Sequence, residues 1–199
     1  MAKVSPLDRG VFALAMLGLS WLGMMAIHEL GHVAGAWVSG GTVRQVIMPA
    51  MGFSRTDVHP NPSPGVVVWA GPILGVLLPL AGWVLFLGVR ARRLAQLHFI
   101  EKPLRFFMGF CLVLNGAYLA FGSFARIGDC AVILDAGTSA WTMWLFGGVT
   151  IPAGFVFWHS LGPQLGLSQL QRRPTAWIAF GAFILIDTAL YLIAEAITG

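Results

Sequence analysis

Five apolar runs, each about as long as the roughly 20 residues needed to cross a bilayer's hydrocarbon core, leave this chain few folds to choose from. They cover approximately Val11–Val38, Val66–Val89, Leu104–Ala125, Trp141–Leu161 and Thr175–Ile197 of its 199 residues. Backbone N–H and C=O groups find no water in hydrocarbon, so such a run must satisfy them within itself, and an α-helix does so. Composition points the same way. Charged residues make up 10% of the chain and apolar residues 57%, against about 25% charged in a soluble domain. Mean hydropathy is +0.80. A chain of this kind cannot clothe a globule in polar surface, so lipid must be its solvent. The expected fold class is an all-α polytopic membrane protein of about five transmembrane helices, one membrane domain over 1–199, with a short extended segment after the first helix.

The first run reads as a permanent span. It is far longer than the roughly 7–15 residue core of a secretory signal, and it carries His and Glu at its far end. Cys111 and Cys130 are too few for a disulfide framework and lack metal-ligand spacing; Cys111, inside an apolar run, is expected to be inert. The basic residues fall mainly in short loops. With the N-terminus cytoplasmic, one side holds Lys3, Arg9, Arg90, Arg92, Arg93, Lys102, Arg105, Arg172 and Arg173, and the other only Arg44, Arg55 and Arg126. That asymmetry is what the positive-inside rule expects, and it places the C-terminus outside. The net charge of +4 therefore reports membrane orientation, and nucleic acid is excluded as a partner. The basic stretch from Arg90 to Arg105, interleaved with Leu94, Leu97, Phe99 and Ile100, is expected to lie on anionic membrane lipids. Trp37, Trp69, Trp141 and Trp158 stand near run ends, as interfacial anchors do.

The connection from Gly40 to Gly65 differs in kind. Gly40-Gly41 followed by the alternating piece Thr42–Met48 reads as a turn leading into a short strand. Pro49 follows, and Pro60, Pro62 and Pro64 are expected to exclude regular structure before the second span. An extended segment here could pair with a substrate in strand form through its free edge amides; an ordinary connecting loop is the alternative.

The chemistry concentrates in His28-Glu29-Leu30-Gly31-His32. Residues four apart share one face of a helix, so His28 and His32 can direct imidazole nitrogens at a single metal ion. Glu29 lies about 100° further around the axis, within reach of a water held at that ion. Zinc lowers the pKa of such a water toward about 7, and a neighbouring carboxylate can take its proton. Ionisable groups inside an apolar span are costly and mark functional sites. A zinc hydrolase of this type needs a third protein ligand. The remaining candidates are His59, His98, His159, Asp57, Asp129, Asp135 and Asp187. Asp129 follows the outer end of the third run, on the same side as the histidines, and is preferred; Asp135 and His59, also on that side, are the reserves. Asp187, deep in the fifth run, suits a supporting hydrogen bond. Asn115, in mid-span, reads as interhelical glue or as a donor to a developing oxyanion.

These features together resemble the site-2 protease family of intramembrane metalloproteases: His28 to His32 on the first span, Ala70-Gly71-Pro72 opening the second, and Asn115 then Gly128-Asp129 around the third. The resemblance covers a three-span core, about 11–134, and leaves the runs at about 141–161 and 175–197 unmatched. It implies His28, His32 and Asp129 as ligands to Zn2+, Glu29 as the residue that activates water, and Asn115 as a residue that positions substrate. The family's aspartate usually stands in Asp-Gly, often with Asn and Pro just before, whereas this chain reads Gly128-Asp129-Cys130. The charge bias also sets the site toward the outer side, whereas well-known members hold it toward the cytoplasm. The implied activity is zinc-dependent hydrolysis of peptide bonds in a transmembrane or membrane-adjacent polypeptide. The alternative is a catalytically silent relative serving as a structural or assembly subunit of a larger membrane complex.

Overall fold

A computed structural model describes residues 6–49, 52–91 and 98–159, with isolated positions beyond them. The expected fifth span, Thr175–Ile197, falls outside the continuously described residues. Within them the chain runs α1 (Pro6–Val38), β1 (Val43–Ile47), β2 (Arg55–Val58), α2 (Pro64–Ala91), α3 (His98–Ala125), α4 (Asp129–Asp135) and α5 (Ala140–Trp158). The helices α1, α2, α3 and α5 are long and apolar enough to cross a membrane, and they match the first four runs to within a few residues at each end.

Their outer surface is apolar as well. Leu14, Leu17, Leu77, Leu85, Phe121, Phe124, Leu145 and Val156 are all exposed, more large apolar side chains than a surface in water carries and what lipid accommodates. Hydrophobicity alone therefore cannot drive these helices together, and close packing of small residues does so instead. Gly31 and Gly35 let α1 lie directly on α2. A Cβ on Gly31 would overlap the Ala70 carbonyl, and one on Gly35 would strike the Ala70 methyl. The α3–α5 contact is built likewise, Gly116 against Gly147 and Gly109 against Gly154. Between the two helix pairs, Leu22, Met24 and Met25 of α1 pack on Phe110 and Cys111 of α3. Val68, Leu119, Ile133 and Met143 join α2, α3, α4 and α5.

Two elements differ from the sequence expectation. The extended piece after α1 has a partner: β1 and β2 form an antiparallel hairpin with Val46 opposite Thr56 and Ile47 opposite Arg55. Pro60, Pro62 and Pro64 all lie beyond Val58, so they leave the second strand free to pair. Gly40, at φ 77°, makes the expected turn out of α1. The second difference is α4. Arg126 takes a left-handed conformation at φ 49°, and the Ile127 amide returns to the Gly122 carbonyl at 3.4 Å, closing α3 in the manner of a Schellman motif. The chain can then start a separate seven-residue helix. Gly71-Pro72, expected near the start of the second span, lies inside α2, because that helix begins at Pro64. The hairpin, α4 and the start of α5 all sit at the end of the bundle where α1 finishes.

A Gly154→Leu substitution should drive a side chain into Val113 and the Gly109 carbonyl, costing about 1–3 kcal/mol of helix packing. The check is the thermal unfolding midpoint in detergent, which should fall. Gly148→Leu, on a face open to its surroundings, should leave it unchanged.

Candidate metal centre

His28 and His32 sit one turn apart on the last third of α1, 7% and 5% exposed. Each ring has one nitrogen fixed by an acceptor. His32 Nδ1 lies 2.9 Å from the Val67 carbonyl of α2. A carbonyl only accepts, so Nδ1 carries the proton and Nε2 keeps its lone pair. His28 Nδ1 lies 2.8 Å from Asn115 Oδ1 on α3. The orientation of that amide is fixed in turn, since its nitrogen donates to the Cys111 carbonyl at 2.9 Å. Asn115 therefore presents oxygen to His28, and His28 too is protonated on Nδ1. Histidines that hold metals are oriented in this way, the second ring nitrogen donating to a fixed acceptor.

Both free Nε2 atoms face Asp129, the first residue of α4. Its Oδ2 is 2.9 Å from His28 Nε2 and 3.3 Å from His32 Nε2. Ligands on one tetrahedral zinc, each at about 2.0–2.1 Å from it, stand about 3.3 Å apart. Both nitrogen–oxygen distances suit ligands of a single zinc ion, which would leave a fourth position open. Burial works against charge on Asp129, but when the His28 and His32 rings are protonated their Nε2–H groups hydrogen-bond to it and hold the carboxyl well below the usual range. It is ionised at neutral pH. Next to it, burial and then the Asp129 charge push the Cys130 thiol up to about 11, so Cys130 stays a neutral packing residue.

Glu29 is 2% exposed, and a carboxylate oxygen of it lies within 4.8 Å of a ring nitrogen of each histidine. Its Oε2 accepts a 2.6 Å hydrogen bond from Thr56 Oγ1 on β2. A cavity of about 80 Å³ opens onto His28, Glu29, Asn115 and Asp129, walled by Trp21, Met25 and Leu114. By that measure a water needs about 10–15 Å³, so several fit. A larger and more polar cavity of about 270 Å³ adjoins His32 and Asp129 from the other side, with Thr56 and Asn61 in its wall.

Glycine makes room for this arrangement. A Cβ on Gly71 would stand inside the His32 ring, and one on Gly75 would meet the Asn115 amide at 2.8 Å. Gly128, at φ 51°, leaves space for the Tyr118 hydroxyl, which accepts the Asp129 backbone N–H at 2.9 Å. The structure therefore brings together all five residues singled out in the sequence: His28, Glu29, His32, Asn115 and Asp129. The reserves lie elsewhere. His59 is exposed, and Asp135, at the far end of α4, pairs with Arg126. Asp57 pairs with Gln45 and Arg55. His159 is exposed at the opposite end of α5. The side chains of His98 and Asp187 lie outside the described residues.

Sequence reasoning missed Thr56, Tyr118 and the Val67 carbonyl. Gly31-x-x-x-Gly35 and Gly71-x-x-x-Gly75 were legible as close-contact spacings, and they mark the face on which the centre is built. No family model, curated protein or solved structure matches this chain.

The protein purified without chelators should carry about one zinc per chain, and His32→Ala or Asp129→Ala should abolish it. Asn115→Ala should weaken affinity about 10–100-fold by releasing the His28 ring. Elemental analysis and competition with a metal indicator measure both.

Proposed function

We propose that this chain is an intramembrane zinc metalloprotease of the site-2 protease kind. The observation that carries the reading is the convergence of His28 Nε2, His32 Nε2 and Asp129 Oδ2, with buried Glu29 alongside, at one end of an apolar bundle. A buried His-His-Asp set with both rings pinned through Nδ1 has little structural purpose without a cation, because two imidazoles and a carboxylate cost more to bury than an apolar cluster of the same size.

Zinc, when bound, would supply a Lewis acid for a peptide carbonyl and make an attacking water more acidic. Glu29 accepts the proton of the attacking water and returns it to the leaving amine nitrogen. Asn115 and the Val67 carbonyl hold the two imidazoles in the tautomer that keeps Nε2 available. Asn115 can also reach substrate, since it borders the same cavity. The apolar wall of that cavity suits a substrate residue coming from a membrane span. The larger cavity beyond Asp129 suits the membrane-adjacent part of the same polypeptide. A scissile amide must be extended there, because a helical one keeps its carbonyl engaged. By the charge bias, the N-terminus is cytoplasmic and this end of the bundle faces the outer side.

Glu29→Gln should retain zinc and lose about 10²–10⁴ in turnover. The assay follows cleavage of a fluorescently labelled polypeptide with a single apolar span, in detergent, at equal zinc content. A zinc-loaded unmutated protein that cleaves no such polypeptide, and tolerates Glu29→Gln in the cell, would instead be a structural or assembly subunit.

A further inference from the structure

A carboxylate close to a three-ligand metal centre has two available roles. It can take protons, or it can swing in and become the fourth ligand, which would fill the position a reacting water needs. Nothing in the His-Glu-x-x-His spacing decides between them. Glu29 stands within 4.8 Å of the histidine nitrogens, and only side-chain rotation separates the two states. Buried at 2% exposure, it has no bulk water to hold it back.

The restraint comes from the hairpin. Thr56 Oγ1 donates to Glu29 Oε2 at 2.6 Å, a short bond that ties this carboxyl group to β2. It engages one of the two carboxylate oxygens. The strand register selects Thr56 for this contact. Thr56 pairs with Val46, while its neighbours Arg55 and Asp57 pair with Ile47 and Gln45, and successive side chains along a strand point to opposite faces. A slip of one residue would bring Arg55 or Asp57 to Glu29. The first would neutralise a base by a direct ion pair, and the second would repel it. The Gln45–Asp57 side-chain hydrogen bond crosses from β1 to β2 and holds the neighbouring position in register.

We infer that Thr56 is a positioning residue that keeps Glu29 out of the metal's coordination sphere, so that the hairpin sets whether the centre has an open position. This rests on the zinc reading above. It makes hairpin placement, and not α1 alone, the determinant of whether Glu29 serves as a base.

The test needs no substrate. The protein is loaded with Co2+, whose visible absorption reports its ligands, and titrated with azide, a small anion that takes an open position. The unmutated protein and Thr56→Ser should bind azide alike, with a change in the cobalt spectrum. Thr56→Val keeps the branched shape and strand preference but lacks the donor. It should bind cobalt at least as tightly as the unmutated protein does, yet bind azide at least about tenfold more weakly. Adding Glu29→Ala to Thr56→Val should restore azide binding, which no general loosening of the fold would do. Unchanged azide affinity in Thr56→Val would overturn the inference while leaving the metal centre intact. Weakened azide binding that Glu29→Ala does not restore would overturn it too, because the loss would not run through Glu29. Absence of cobalt binding in the unmutated protein would overturn the zinc reading itself, and this inference with it.

Discussion

The close approach of α1 to α2 is the contact on which the rest depends. In hydrocarbon, two apolar helices gain nothing from excluding water, so they associate only where their backbones can come near enough for dispersion and polar contacts to count. Gly31 and Gly35 on one helix, against Val67, Ala70 and Gly71 on the other, provide that nearness. The same contact carries the His32 ring to the Val67 carbonyl and into the space that Gly71 leaves open. Packing and tautomer are thus fixed by one arrangement of small residues. Larger side chains there would separate the helices and release the ring together.

A second helix pair completes the centre by a different route. α3 is held to α5 by its own glycine contacts, and it reaches the histidines through Asn115 and Tyr118. Asn115 is 1% exposed and lies between a backbone carbonyl of its own helix and the His28 ring. Tyr118 anchors the start of α4 through the Asp129 amide. Each of the three converging donors is therefore set by a separate neighbour: Val67 for His32, Asn115 for His28, and Tyr118 for Asp129. Pre-positioning of this kind is what a buried polar cluster requires, since a partly satisfied one is costlier than none.

Several parts of this protein were legible in the sequence. Run length and scarcity of charge required helices across lipid, and the four described long helices follow those runs. The four-residue spacing of His28 and His32 was enough to put both on one face of α1 and Glu29 beside them. Asp129 was favoured over Asp135 and His59 because it follows a span end on the histidines' side. The structure sets Asp129 against both rings, whereas Asp135 turns to Arg126. The pairing of the hairpin was not legible. Residues 55–58 show little apolar alternation, and their strand conformation comes from pairing with 43–47 rather than from propensity.

What the sequence determined by itself was local and periodic: helices long enough to satisfy their own backbones in hydrocarbon, and a metal-type spacing on one of them. Tertiary structure alone decided what touches that spacing. The acceptors for the two imidazoles come from residues 35 and 87 positions away, the facing carboxylate from 101 positions away, and the hydroxyl on Glu29 from 27. No local pattern encodes such separations. They arise because glycines admit one helix crossing and not others, and because strand register presents Thr56 to the helix instead of Arg55 or Asp57.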